Sequence, residues 1–63
     1  MNAVSTTGLS PGQWVRHPER PDFGRGQVQS VDGERVTVNF EHAGKLLINA
    51  AVITLLAEGD QAT

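Results

Sequence analysis

Few side chains in this chain are suited to chemistry. The only histidines are His17 and His42, and there is no cysteine. Two imidazoles with Glu19, Asp22 or Glu41 are metal-ligand types, but their spacing fits no metal pattern and no third nitrogen or sulfur ligand exists. A metal is therefore not expected, and His17, in phase with Val15, is expected to pack inward with a hydrogen-bond partner. Nucleophiles fare no better. Ser5, Thr6, Thr7 and Ser10 lie before the first strand pattern and Ser30 lies within one, so no serine–histidine–carboxylate or cysteine–histidine set can assemble. A chain of 63 residues also has little room for a water-excluding pocket. The expectation is a protein that is not an enzyme and holds no cofactor.

Phe23-Gly24-Arg25-Gly26 is the one glycine motif that invites a phosphate. It is too short for a dinucleotide or P-loop fingerprint, which need wider spacing, a following helix and, in the P-loop, a Lys-Ser/Thr pair. The glycines are better read as shaping a strand entry, by a bulge or a close backbone approach, with Phe23 covering one end of the core.

The elements that position these residues are strands. Pro11-Gly12 makes a turn, and a short strand follows over 13–17. Pro18 and Pro21 end it, since neither can donate a ladder hydrogen bond, so 18–22 is loop. A second strand enters at Phe23 and Gly24. Val36, Val38 and Phe40 alternate with Arg35, Thr37 and Asn39, the signature of a half-buried strand. Glu41 to Gly44 turns the chain, and 45–49 is the fourth strand. Leu46 and Ile48 then share one face, Lys45, Leu47 and Asn49 the other. Both faces carry apolar residues, so either both are covered or an apolar patch meets a partner. A 3₁₀ turn is expected near 49–51. Val52, Ile53 and Thr54 are β-branched, which places a short fifth strand over 52–55.

The register between the second and third strands can be argued from the apolar pattern. A two-residue loop, Asp32-Gly33, pairs Gln29 with Val36 and Gln27 with Val38, which mixes polar and apolar faces. A three-residue loop over 31–33 pairs Val28 with Val36 and Gly26 with Val38. It leaves Gln27, Gln29, Arg35, Thr37 and Asn39 in water together. The second register is expected.

Size and composition bound the rest. A single domain of this length buries about 60% of the surface its unfolded chain exposes. Without a disulfide, its stability must come from one compact apolar core. Five short strands separated by turns point to an all-β fold, a small five-stranded barrel over 10–56. The small, polar, aperiodic segments 1–9 and 57–63 are expected to be disordered tails. No stretch approaches the ~20 apolar residues of a membrane helix. The N-terminus lacks a signal-peptide pattern, so a soluble cytoplasmic protein is expected. The net charge is −2, against the basic character usual in a phosphate-backbone binder. It is unevenly spread: 13–25 carries three arginines against two carboxylates, whereas 32–63 carries Arg35 and Lys45 against five.

The pattern Gly12-x-x-Val15-x-His17, Phe23-Gly24-x-Gly26-x-Val28, Val36-x-Val38-x-Phe40, Lys45-x-Leu47 spans about three quarters of the chain. It resembles a small bacterial family of unknown function. It is also similar to the Tudor-like C-terminal domain of the UvrD/PcrA helicases. This sequence departs from it by the extra residues between His17 and Phe23. The resemblance implies an SH3-like or Tudor-like barrel. Through the helicase domain's association with RNA polymerase, it also implies a link to transcription or repair. Some Tudor relatives hold methylated side chains in an aromatic cage, but Trp14, Phe23 and Phe40 are the only aromatics here and Phe40 is in phase with the core.

Trp14 and Arg16 point away from Val15 and His17, and Trp and Arg are residue types enriched at binding hot spots. Either this pair meets a partner, or Trp14 folds back to cover the core. The leading expectation is a protein-interaction module using Trp14, Arg16, Arg20, Phe23 and Arg25, with RNA polymerase as a candidate partner. The alternative is nucleic-acid binding through Arg16, Arg25, Arg35 and Lys45. The protein is expected to be a monomer or a weak homodimer.

Overall fold

A computed structural model describes residues 9–58. Of the expected tails, 1–8 and 59–63 lie outside the described residues. Leu9 packs against the core, and Ala57 and Glu58 belong to the fold.

The described residues are all-β, with five strands: β1 Trp14–Arg16, β2 Arg25–Asp32, β3 Arg35–Phe40, β4 Gly44–Asn49 and β5 Leu56–Ala57. They form one antiparallel sheet in the order β4-β3-β2-β1-β5. The expected five strands are present, but the described ladders form an open series with β4 and β5 at its edges. Closure over the core comes from side chains instead. Val15, Val28, Val36, Val38, Phe40, Ile48, Ala50 and Leu55 are buried, and Leu9, Phe23, Val31, Ala43, Leu46 and Ile53 pack around them. No polar or charged side chain is buried among the described residues. The core therefore carries no desolvation penalty for such groups.

The β2–β3 register differs from the expected one. Val28 pairs with Val38 and Gly26 with Phe40, while Val31 pairs with Val36 and Asp32 with Arg35. The turn is Gly33-Glu34. Gly33 has φ +60°, and no non-glycine residue among the described residues has positive φ. Positive φ at the first central residue alone is the mark of a type II′ hairpin turn, whose twist suits the flanking strands. The ladder shifts between Val28 and Ser30, which leaves Gln29 as the extra residue of a bulge. Val28 and Val31 are three apart, so strict alternation would put one of them in water. The bulge keeps both inward, and the sequence reading assumed an unbroken alternation.

The expected glycine bulge at Gly24 or Gly26 is thus found at Gln29, and Gly26 serves another purpose. A Cβ built on Gly26 would lie 2.5 Å from a Val38 methyl and 2.7 Å from the Phe40 ring. The missing side chain is the space that Phe40 fills. What approaches Gly26 is a side chain rather than a backbone.

Two further elements move. The 3₁₀ turn lies at Pro21–Phe23, where a plain loop was expected. Pro21 opens it, since a proline's fixed φ suits the first helical residue. After β4, the Asn49 carbonyl accepts from the amides of Val52 (3.0 Å) and Ile53 (2.9 Å), and Asn49 Oδ1 accepts from the Ala51 amide (2.9 Å). Those amides are committed to a turn and cannot join a ladder. The fifth strand therefore forms at Leu56–Ala57 instead of 52–55, after Leu55 has entered the core.

Gly26→Ala is expected to destabilise the fold by about 1–3 kcal/mol, because the new methyl displaces Phe40 or Val38 from a filled core. Thermal or urea denaturation reads this directly. An unchanged midpoint would mean the ring has room to move.

Candidate interaction surface

One face of the sheet covers the core, and the other is exposed. The register aligns a row of outward residues across four strands: Trp14 opposite Gln27, Gln27 opposite Asn39, and Asn39 opposite Lys45. Trp14 is 37% exposed. It stands on the outer face and does not fold back into the core. A groove of about 380 Å³ lies beside it, lined by Trp14, Gln27, Asn39, Phe40, Glu41 and Gly44.

Arg16 and Arg25 are directly opposite each other on β1 and β2. Like charges so placed repel. Glu58 relieves this. Its Oε2 accepts from Arg16 Nε at 2.6 Å, and its Oε1 lies 4.0 Å from Arg25 Nε. The carboxylate is held there by its own backbone, since the Glu58 amide donates to the Trp14 carbonyl at 2.8 Å. The Arg25 guanidinium lies over the Trp14 ring, 4.1 Å from its centroid. An arginine on an indole face is a favourable cation–π pair, worth about 0.5–1 kcal/mol when exposed. Trp14, Arg16, Arg25 and Glu58 thus form one connected cluster.

The other expected contact residues form a second cluster. Arg20 donates from Nε and Nη2 to the two oxygens of Asp22, at 3.1 and 3.0 Å. Its guanidinium also sits 4.6 Å over the Phe23 ring. Phe23 is half-buried between Phe40 (5.2 Å) and an edge-on His17 (5.3 Å). It covers one end of the core. His17 is half-buried, and its Nδ1 accepts from the Glu19 amide at 3.1 Å. The hydrogen bond from Arg20 holds the Asp22 carboxyl below the usual carboxylate range, against the opposing effect of desolvation and with lesser help from a backbone hydrogen bond and the Arg20 charge.

The residues of the nucleic-acid alternative are spread out. Arg16 and Arg25 share Glu58. Lys45 lies across the sheet on β4. Arg35 is at the hairpin end of β3, beside Asp32 and Asn49. It is four residues from Asn39, about 13 Å along the strand.

Sequence reasoning missed Glu58, which it assigned to the tail, and Glu41. The Glu41 carboxylate accepts from the Arg25 amide at 3.2 Å, and the Glu41 amide donates to the Arg25 carbonyl at 2.9 Å. The signal for Glu58 was the pair of facing arginines, visible only once the β1–β2 register is known.

Removing the shared carboxylate by Glu58→Gln leaves Arg16 and Arg25 unscreened from each other. A loss of up to about 1 kcal/mol is expected at low salt, shrinking as salt is added, because the groups are largely solvated. Denaturation with and without added salt checks it. For Asp22 the sign is that of a lowered carboxyl. Its contribution is present above the unfolded-state pKa and is lost as pH falls through the lowered folded value. Arg20→Ala is expected to return Asp22 to the ordinary carboxylate range in an NMR titration of its side-chain carboxyl.

No helix among the described residues is long and apolar enough to cross a membrane. No curated protein and no solved structure matches the chain, so the likeness to the helicase domain rests on the sequence pattern alone. Residues 9–57 match the model of a family described as a protein of unknown function (DUF3553). The match runs from Leu9, which packs under the core, to Ala57 in the last strand. Covering most of the chain, it shows that this protein belongs to the DUF3553 family.

Proposed function

We propose that this protein is a non-enzymatic interaction module whose outer sheet face, centred on Trp14, receives another protein. One observation carries the reading: a 37% exposed tryptophan on a rigid strand, with Arg25 stacked on its ring at 4.1 Å. Trp and Arg dominate interface hot spots, because each offers a large contact area and fixed polar geometry. Here the pair is held in place before binding, by the β1–β2 ladder and by Glu58. Little side-chain entropy remains to be lost on association. Gln27, Asn39 and Glu41 beside the groove supply the polar partners that rim such a contact. The likeness to the helicase domain directs the first search to transcription and repair components, RNA polymerase among them.

Nucleic-acid binding has weaker support. Arg16 and Arg20 are paired with carboxylates, and Arg25 lies near one. The net charge is −2. A backbone binder needs several free cations along one track.

The test is a direct titration of purified RNA polymerase with the wild-type protein and with Trp14→Ala, alongside partner capture from cytoplasm. Trp14→Ala is expected to weaken the contact by at least about 2 kcal/mol, roughly thirtyfold in Kd. Identical partner lists and affinities from both proteins would remove Trp14 from the role. Steeply salt-dependent binding to DNA or RNA, lost on Arg35→Ala and Lys45→Ala, would favour the alternative.

A further inference from the structure

The two edges of the sheet are very different. β5, Leu56–Ala57, is too short to template another strand. β4, Gly44–Asn49, pairs with β3 in unbroken register from Arg35–Asn49 to Phe40–Gly44. Among the described residues nothing pairs with its other side. Proteins protect such an edge with proline, bulges or inward-pointing charge. β4 has no proline, bulge or inward charge; its one protecting residue is the exposed Lys45 near one end, since edge lysines also discourage pairing, and the stretch from Leu46 to Ile48 carries none. At its centre, on the outer face, Leu47 is 65% exposed. Leu46 is half-buried and Ile48 buried on the other face. The apolar residue left without cover is therefore Leu47.

We infer that the outer edge of β4 is a self-pairing surface, on which a second copy of this chain adds its own β4 antiparallel, with Leu47 facing Leu47 across a two-fold axis. The register follows from three constraints. Side chains alternate between faces, so residues of equal parity must pair if the inner face is to stay apolar. This excludes every odd shift. A pairing centred on Lys45 puts two lysines opposite each other, which is unfavourable. A pairing centred on Leu46 requires Gly44 opposite Ile48 of the second copy, but Gly44 has φ +81° and is not extended. A pairing centred on Ile48 requires Leu46 opposite Ala50 of the second copy, and Ala50 lies beyond the end of β4; centring on Leu47 uses only residues 45–49. It puts Lys45 opposite Asn49, and Leu46 opposite Ile48. The outer row then reads Asn39, Lys45, and Asn49 and Arg35 of the second copy, so an amide stands between the two cations. Self-complementarity of this kind is what a two-fold interface demands of a single patch.

The result is a continuous ten-strand sheet. Its two Trp14 surfaces lie on the same face, so the self-pairing surface does not compete with the proposed partner site. Backbone pairing over residues 45–49 is a small interface, of the weak and reversible class. The experiment is sedimentation or light scattering of the full chain, from about 10 μM to about 1 mM, the span in which weak interfaces populate. A concentration-dependent rise toward twice the monomer mass is expected. Leu47→Glu, which sets two carboxylates face to face at the axis, is expected to weaken dimerisation at least about tenfold. Val52→Glu, at a still more exposed valine outside the edge, is expected to leave it unchanged. Circular dichroism checks that both variants remain folded. The chain has no cysteine, so Leu47→Cys gives a background-free second readout. Directly opposite positions lie within disulfide reach. Oxidation is expected to yield a cross-linked dimer, whereas Val52→Cys stays monomeric. A wild-type protein that is monomeric throughout the range overturns the inference. So does a dimer that survives Leu47→Glu and resists cross-linking at Leu47→Cys.

Discussion

The parity of β2 is the constraint on which the rest of the structure depends. Gly26 and Val28 must face the core on one side of Gln29, and Val31 must face it on the other. The spacing from 28 to 31 is odd, and a regular strand cannot satisfy it. The Gln29 bulge absorbs the extra residue and keeps one continuous apolar face from Gly26 to Val31. The same event fixes the opposite face. It leaves Arg25 and Gln27 outward beside β1, where Arg25 reaches the Trp14 ring and Gln27 joins the row to Asn39 and Lys45. Without the bulge, one end of the hairpin would present its polar side to the core.

The outer surface is in turn coupled to the last strand. Pairing Trp14–Arg16 with Arg25–Gln27 satisfies the backbone but sets two guanidinium groups against each other. The sheet resolves this with a residue far away in sequence. Docking of β5 on β1 brings the Glu58 amide to the Trp14 carbonyl, and with it a carboxylate to both arginines. β5 is only two residues long and both are exposed. Its ladder and the Glu58 pairing, anchored by buried Leu55, are what hold it. Any opening of β5 therefore also loosens the Arg25–Trp14 stack. Fold stability and the geometry of the interaction surface are linked through one carboxylate.

How far the sequence alone discloses this protein depends on the kind of information asked for. The alternation of Val36, Val38 and Phe40 sets β3 and three of the eight buried core residues. Pro11-Gly12 and the prolines at 18 and 21 bracket β1. The outward direction of Trp14 and Arg16 follows from Val15. These are local facts, expressed in period two and in turn chemistry. The β2–β3 register was not legible, because loops of different length compete and the bulge cannot be placed without its partner strand. The 28–31 spacing was the only trace of it. Nor was the position of β5 legible. β-branched residues at 52–54 favour a strand, but the Asn49 carbonyl and side chain take their amides first. Of the surface itself, the residues with large side chains were found and the acidic ones were not. Glu41 and Glu58 act through long-range pairings of β2 with β3 and of β1 with β5. No window of sequence contains both members of either pair.

An open sheet has two edges, and this one treats them differently. β5 spans two residues, and the amide and carboxylate of the following Glu58 turn back onto β1. β4 runs its full length with regular spacing and a leucine at its centre. Among the described residues no further strand or helix is left to cover β4. The residues placed on it decide whether it binds or repels. Lys45 prevents pairing in the register that aligns the lysines, Gly44 prevents the one centred on Leu46, the end of β4 at Asn49 prevents the one centred on Ile48, and the arrangement around Leu47 remains. The same sheet therefore presents two surfaces of different character. One is a polar face built around a single tryptophan, and the other a bare edge of backbone with a single apolar side chain.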